Sequence, residues 1–144
     1  MLTNGVKRID HVAIAVRDLT ESLRFYRDIL GITPSRIFDF PSERVRIAFL
    51  PAGGPDGSQI ELLEPLDAES GVARFLNNKG EGLHHICLQV DDVDRALAEL
   101  QEAGTHVLDT EPRITADGRG IFVHPRDASG VLLELVQPPR DSTS

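Results

Sequence analysis

The sequence predicts an α+β fold built from two copies of one βαβββ module. Strand-like and helix-like hydrophobic patterns follow one another in the same order twice along the 144 residues. The two halves also match each other position by position, and in each half a His and a Glu interrupt apolar strands at matched positions. Internal repetition of this kind decides the architecture before any single element does.

Length and composition predict one domain, since 144 residues with 40% hydrophobic side chains can bury a core. The chain has one cysteine, Cys87, so no internal disulfide can form. No apolar run approaches the roughly 18 residues that cross a bilayer, and the N-terminus lacks the apolar segment of a signal peptide. We therefore expect a cytoplasmic protein with no membrane partner.

The formal net charge of −8 argues against a nucleic-acid partner, because phosphate backbones are bound by clustered Lys and Arg. Aromatic residues are few and tryptophan is absent, so a base-stacking surface is not expected. A small anionic ligand stays compatible with this charge, because a few local cations can hold it.

The first module begins with an alternating, β-rich strand at residues 8–16. Asp18, with Glu21 three positions later, predicts the N-terminal cap of a helix that ends at Gly31. The apolar face of this helix consists of Leu19, Leu23, Tyr26 and Leu30. The elements predicted after it are strands at residues 37–40, 45–50 and 59–63 and a short helix at about 72–76.

The second module repeats this order, with a strand at residues 83–90 and a helix that Asp91 and Asp92 open and Gly104 closes. The elements predicted after it are a brief strand at 106–108, a loop at 111–119, strands at 120–124 and 131–136, and a frayed tail at 137–144. The two modules thus span about residues 7–64 and 82–138. Their apolar sheet faces would pack against each other or curl around a shared cleft.

Each module places one His on its first strand and one Glu on its last strand. His85 follows His11 by 74 positions, and Glu134 follows Glu61 by 73. A lone His on an apolar strand is more often a core residue than a ligand, but an unpaired buried carboxylate is costly and both types recur. Two imidazoles and two carboxylates suit a divalent ion such as Co, Ni, Mn, Zn or Fe(II). Such an ion acts as a Lewis acid that polarises a carbonyl.

The other candidate ligands have simpler interpretations. His84 faces away from His85 on a strand and is interpreted as structural. His124 is expected either to line a pocket or to be structural, and His106 to lie at the surface. Cys87 shares the face of His85, and we interpret it as a small buried hydrophobic residue rather than a thiolate ligand.

Several segments resemble the methylmalonyl-CoA epimerase family: RIDHVAIAV, FYRDILG, IELLEP, VARFL, GEGLHHI, VDDVDRALAEL and HPRDASGVLLEL. That family belongs to the vicinal oxygen chelate superfamily, with lactoylglutathione lyase and the extradiol dioxygenases. The resemblance runs from about residue 8 to residue 137. It implies the vicinal oxygen chelate fold, in which the paired modules form a curved, cupped mixed sheet around a central metal site, in one domain over residues 1–144.

The resemblance also implies a metal-dependent reaction. The family's ligands correspond to His11, His85 and Glu134, with Glu61 as the fourth ligand where some members have Gln. The implied activity is interconversion of (R)- and (S)-methylmalonyl-CoA, or of a close 2-substituted malonyl-CoA, by α-proton removal through a metal-bound enolate. Cobalt is the first candidate among the divalent ions, and a homodimer is expected.

The chain departs from one branch of the family on its third strand. Ile47 stands where that branch has a Glu, and Glu61 stands where it tends to have Gln. Our hypothesis is that Glu61 and Glu134 flank the α-carbon as the catalytic pair, and that at least one loosens from the metal to act as base. Glu43 is a weaker candidate because a turn flanks it.

Three cations are candidates for holding the anionic CoA tail: Arg113, Arg119 and Lys79. The nearest alternative function is a lactoylglutathione lyase-like or other superfamily enzyme. An extradiol dioxygenase would use two His and one Glu with Fe(II), and Glu61 as an extra ligand argues against it. A further alternative is a non-catalytic binding or resistance protein of the same fold.

Overall fold

The computed structural model describes residues 1–54 and 57–139. Its contacts divide the chain into two compact units. The first unit is His11–His84, and the second unit is Met1–Asp10 together with the chain from His85 onward. The first unit contains residues 11–64 of the first predicted module, and the second unit contains the second predicted module from residue 85, whereas residues 7–10 and 82–84 fall in the opposite units. The module boundaries stay a prediction. That all 144 residues form one domain stays a prediction.

The first unit follows the βαβββ order that the sequence predicts. Its elements are β1 (Arg8–Ala15, whose first residues belong to the second unit), α1 (Leu19–Leu23), β2 (Arg36–Phe40), β3 (Val45–Pro51), β4 (Gln59–Pro65) and α2 (Gly71–Lys79). The strands lie in the order β2-β3-β4-β1. β1 runs parallel to β4, whereas β3 is antiparallel to both of its neighbours.

Helix α1 begins as predicted, because the Asp18 side chain accepts a hydrogen bond from the backbone N–H of Glu21 at 3.2 Å. The α-helix ends at Leu23, and residues Arg24–Ile29 continue as a π-helix. A π-turn holds more residues than an α-turn, so later side chains rotate off the buried face. Leu30 is consequently 53% exposed, and the prediction that it belongs to the apolar face of this helix is wrong.

The two faces of the first sheet differ in chemistry. The helix-covered face forms an apolar cluster of Val16, Leu19, Leu23, Ala48, Leu50 and Leu62. On the other face, the Cα atoms of Ala13 and Phe49 both lie opposite that of Glu61. His11 is two residues before Ala13 and shares that face, because side chains alternate along a strand.

The second unit repeats the pattern. Its elements are β5 (Gly82–Gln89, whose start belongs to the first unit), α3 (Val93–Glu102), β6 (Arg113–Thr115), β7 (Gly118–Val123) and β8 (Leu133–Gln137). The strands lie in the order β5-β8-β7-β6, and β5 runs parallel to β8. Helix α3 covers an apolar cluster of Val90, Val93, Ala96, Leu97, Ile121 and Leu135.

Two predictions about the second unit are wrong. The stretch at 111–119, predicted as a loop, contains β6, which pairs with β7 in a tight hairpin in which Thr115 lies opposite Gly118. Pro112 and Gly118 favoured a loop, whereas Gly118 here permits the hairpin turn through its φ of 149°. The predicted strand at 106–108 is reduced to a single bridge between Val107 and Val123.

The predicted tail lies partly outside the described residues, since the description ends at residue 139. Within residues 1–54 and 57–139, no helix is long and apolar enough to cross a membrane.

Helix α3 offers a test of the local signals that build the second unit. Asp92 accepts a hydrogen bond from the backbone N–H of Arg95 at 3.0 Å. We expect Asp92→Ala to lower the free energy of unfolding by about 1 kcal/mol, because an N-cap acceptor is lost. Asp92→Asn keeps an acceptor and should stay close to wild type. Urea unfolding of the three proteins measures this, and equal losses in both variants would contradict the capping role.

Candidate metal centre

The first unit brings together two of the predicted ligands. His11 on β1 and Glu61 on β4 are 1% and 4% exposed. The imidazole Nε2 lies 3.4 Å from the carboxylate Oε1. The parallel pairing of β1 with β4 causes this approach, because its register places Glu61 opposite Ala13, two residues from His11.

The second unit builds the same arrangement from the matched positions. His85 on β5 and Glu134 on β8 are 6% and 3% exposed. Their Nε2 and Oε1 atoms are 3.2 Å apart. Glu134 lies opposite Cys87, again two residues from the His. The internal repeat therefore extends from the sequence to the contacts of the predicted ligands within each unit.

An aromatic ring lies beside each imidazole, which the sequence analysis missed. Phe49 meets the ring of His11 edge to face at 6.0 Å, and Phe122 meets that of His85 at 5.6 Å. Both Phe residues occupy the strand next to the Glu, at the 73-residue offset that already relates the Glu pair. That shared offset was the signal that could have identified them.

Beside each Phe, on the same face of the sheet, lies an arginine. The guanidinium carbon of Arg36 is 6.0 Å from the ring centre of Phe49, and that of Arg113 is 5.0 Å from the ring centre of Phe122. We call the four side chains of each unit its Arg–Phe–His–Glu row. The rows consist of Arg36, Phe49, His11 and Glu61 in the first unit and Arg113, Phe122, His85 and Glu134 in the second.

The position at which one branch of the family that the sequence resembles carries a Glu is apolar in both units. Ile47 is buried on β3 opposite Leu63, on the face of Glu61. The matched position of β7 is Gly120. A Cβ there would lie 3.0 Å from the Glu134 carboxylate Oε2. Glycine at position 120 therefore leaves the room that the Glu134 carboxylate occupies.

The three candidate cations lie in different places. Arg119 lies on the helix-covered face, where its two Nη atoms hydrogen-bond Asp94 at 2.8 and 3.2 Å and lower the pKa of that carboxyl. Lys79 ends α2, with its ammonium 5.7 Å from the ring of Phe75. Of the three, Arg113 alone belongs to an Arg–Phe–His–Glu row, and its Nε donates to Asp109 at 2.6 Å.

The remaining titratable candidates have structural contacts. His84 packs edge to face on Phe75 at 5.0 Å. His106 is exposed and stacks on His124 at 4.9 Å. Glu43 lies in an exposed 3-10 turn.

Cys87 is fully buried, as predicted. Its small side chain lies opposite Glu134 in the register of β5 and β8.

The chemistry of the donor set fits a divalent metal. Each unit presents one imidazole nitrogen and one carboxylate oxygen within 3.4 Å of each other. All four side chains are at least nine-tenths buried, where a carboxylate needs a compensating charge or donor. Imidazole and carboxylate together suit borderline divalent ions. The pair His11 and Glu61 in the first unit, and the pair His85 and Glu134 in the second, each offer donors that suit such an ion.

Comparison with known proteins identifies the family. The family model described as Glyoxalase/Bleomycin resistance protein/Dioxygenase superfamily matches residues 10–123. The ethylmalonyl-CoA/methylmalonyl-CoA epimerase of Cereibacter sphaeroides is 42% identical over 135 residues, which cover 92% of this chain and 98% of that relative.

Solved structures agree with this sequence similarity. Methylmalonyl-CoA epimerase from Mycobacterium tuberculosis has a TM-score of 0.88 and 35% identity, with 97% of this chain and 94% of that one covered. A methylmalonyl-CoA epimerase in complex with methylmalonyl-CoA and NH4+ has a TM-score of 0.84 and 38% identity, with 94% and 100% covered. The likeness over nearly the whole chain confirms the predicted fold class. This chain therefore belongs to the methylmalonyl-CoA epimerase family of the glyoxalase, or vicinal oxygen chelate, superfamily.

Proposed function

We propose that this protein epimerises (R)- and (S)-methylmalonyl-CoA, or a close 2-substituted malonyl-CoA such as ethylmalonyl-CoA, with the help of a divalent metal ion. The observation that carries the proposal is the pair of buried His–Glu contacts at repeat-related positions, in a chain of the epimerase family. Burial and apolar neighbours suit chemistry on an acidic carbon, because water would otherwise compete for the proton.

His11, Glu61, His85 and Glu134 would hold the metal, and cobalt is our first candidate. A bound divalent ion supplies Lewis-acid stabilisation of the negative charge that develops on the thioester oxygen. The fit rests on the nitrogen and oxygen donors that each unit pairs at 3.4 and 3.2 Å.

The protein's own groups would carry the proton. Epimerisation breaks the α C–H bond on one face of the substrate and forms a new one on the other. A carboxylate oxygen of Glu61 or Glu134 accepts the proton while the electron pair delocalises into an enolate, and the other carboxyl group returns a proton. Phe49 and Ile47, both buried on the face of Glu61, keep water from that carboxylate.

The reaction is tested by solvent exchange. Protein loaded with Co(II) should exchange the α-hydrogen of (R)-methylmalonyl-CoA in deuterated water and form the (S) epimer, both followed by NMR. Metal-stripped protein should show neither, because the enolate charge is then not stabilised. No exchange above this control, in protein shown to hold metal, would remove the epimerase assignment.

Assays with other substrates and ligands, run beside the exchange experiment, separate the alternative functions. Turnover of a glutathione hemithioacetal without exchange of the malonyl thioester would favour a lactoylglutathione lyase-like enzyme. Tight binding of a small molecule with no turnover, in protein purified without metal, would favour a binding or resistance protein.

Glu61 can be tested as a proton-transfer group. We expect Glu61→Gln to lower kcat about a hundredfold or more, because general acid–base groups contribute about 10²- to 10⁴-fold. Gln keeps an oxygen donor, so the metal content, measured by elemental analysis, should be largely retained. Glu43→Gln is the control and should turn over normally. Full turnover of Glu61→Gln would mean that Glu61 is not a base.

Gly120 can be tested through the space that it leaves for Glu134. In Gly120→Ala the new Cβ would lie 3.0 Å from the Glu134 carboxylate and 2.9 Å from the Thr115 methyl group. We expect Co(II) affinity to fall roughly 10- to 100-fold, as for other groups that orient metal ligands. Competition with a chelator measures this affinity.

The double variant Gly120→Ala with Thr115→Ser removes only the clash with the Thr115 methyl group. If this double variant restores the Co(II) affinity of the wild type, displacement of Glu134 is not the cause of the affinity lost in Gly120→Ala.

The remaining parts of the proposal concern the whole protein. Binding of an acyl-CoA is supported by the relatives, one of which is a structure in complex with methylmalonyl-CoA. The cytoplasmic location and the homodimer stay predictions, which fractionation and light scattering of the purified protein would test.

A further inference from the structure

Arg36 lies on the sheet face that carries the first unit's His–Glu pair. It opens β2, and its Cα lies opposite that of Phe49 on β3. Phe49 in turn lies opposite Glu61 on β4. Cross-strand partners point to the same side of a sheet, so Arg36 is the outermost member of a row that leads to His11.

Two aromatic rings hold the guanidinium of Arg36 at this edge. Its Cζ is 4.2 Å from the ring centre of Phe38 and 6.0 Å from that of Phe49. The side chain is nevertheless exposed. A guanidinium held over an aromatic face is restricted in position and keeps N–H donors with which it can bind a planar or tetrahedral anion.

The ion-pair partners of Arg36 can be compared with those of the neighbouring arginines over the described part of the chain. Among residues 1–54 and 57–139, no carboxylate lies within ion-pair distance of its guanidinium. By contrast, Arg46 on the opposite face is paired with Asp39 at 2.8 Å. Arg113, the matched arginine of the second unit, is paired with Asp109 at 2.6 Å. An uncompensated, oriented cation in a chain of net charge −8 suits an anionic ligand.

We propose that Arg36 binds a phosphate group of the CoA moiety of the substrate, an inference that rests on the proposed function. The substrate carries two kinds of anion, a carboxylate on the reacting α-carbon and phosphates at the far end of the thioester. The ring of Phe49 lies between the guanidinium and the imidazole of His11, 6.0 Å from each. This separation suits the distant phosphate, which a guanidinium binds through paired hydrogen bonds.

Truncated substrates distinguish the two anions. We expect Arg36→Gln to raise KM for methylmalonyl-CoA about tenfold or more, with kcat within about twofold, because a charge-assisted hydrogen bond to the substrate is lost. For methylmalonyl-pantetheine, which lacks the phosphates, the same variant should behave as wild type. The KM of Arg36→Lys for methylmalonyl-CoA should lie between those of wild type and Arg36→Gln, since Lys keeps the positive charge but lacks the paired N–H donors of a guanidinium.

Arg46→Gln is the matched control, because Arg46 lies on the adjacent strand but on the opposite face. It should not change KM for either thioester. An equal KM increase for both thioesters in Arg36→Gln would assign Arg36 to the carboxylate or to the fold, and would overturn the proposal.

Binding of free CoA, measured by calorimetry, tests Arg36 without turnover. Wild type should bind CoA about tenfold or more tightly than Arg36→Gln does, while Arg46→Gln should match wild type. Equal affinities of wild type and Arg36→Gln, or no CoA binding by wild type, would overturn the proposal. If CoA binding depends on Arg36 but no α-hydrogen exchanges, the epimerase function fails and the Arg36 site stands.

Discussion

The constraint on which each unit depends is a carboxylate buried beside an imidazole. Glu61 and Glu134 are almost without solvent contact, and a buried carboxylate is tolerated only where the surroundings compensate its charge. The parallel pairs β1–β4 and β5–β8 meet this need by fixing the register of His and Glu. The residues opposite the Glu positions are Ala13 and Cys87, both small and fully buried, so each carboxylate has room beside its imidazole.

Because side chains alternate along a strand, the two faces of each sheet carry different residues and have different roles. One face packs its aliphatic side chains under a helix, which supplies the hydrophobic stabilisation of the unit. The other face can then hold the His, Glu and Phe side chains of the row. The residue on the third strand of the module shows how tightly that face is filled. Ile47 occupies the space with hydrocarbon, whereas Gly120 leaves it to the carboxylate of Glu134.

The two Arg–Phe–His–Glu rows are nearly alike in the contacts of their His, Glu and Phe residues and differ in the contacts of their arginines. Both His–Glu contacts and both His–Phe contacts recur with similar distances. The arginines differ, because Asp109 pairs with Arg113 and also accepts a hydrogen bond from the backbone N–H of Phe122 at 2.7 Å. A duplicated scaffold can keep its shared chemistry and still let one arginine support the structure while the other is available to a ligand.

The sequence by itself determined the βαβββ order, the helix caps and the His and Glu pairs, since these follow from local periodicity and from matched positions. Tertiary structure decided the rest. Hairpin β6–β7 and the exposure of Leu30 depend on backbone geometry that Pro, Gly and apolar spacing do not specify. The contacts of Phe49 and Arg36 depend on strand register, which joins residues distant in sequence. A local pattern identifies which residues share a strand face, but only the paired strands determine which side chains meet across it.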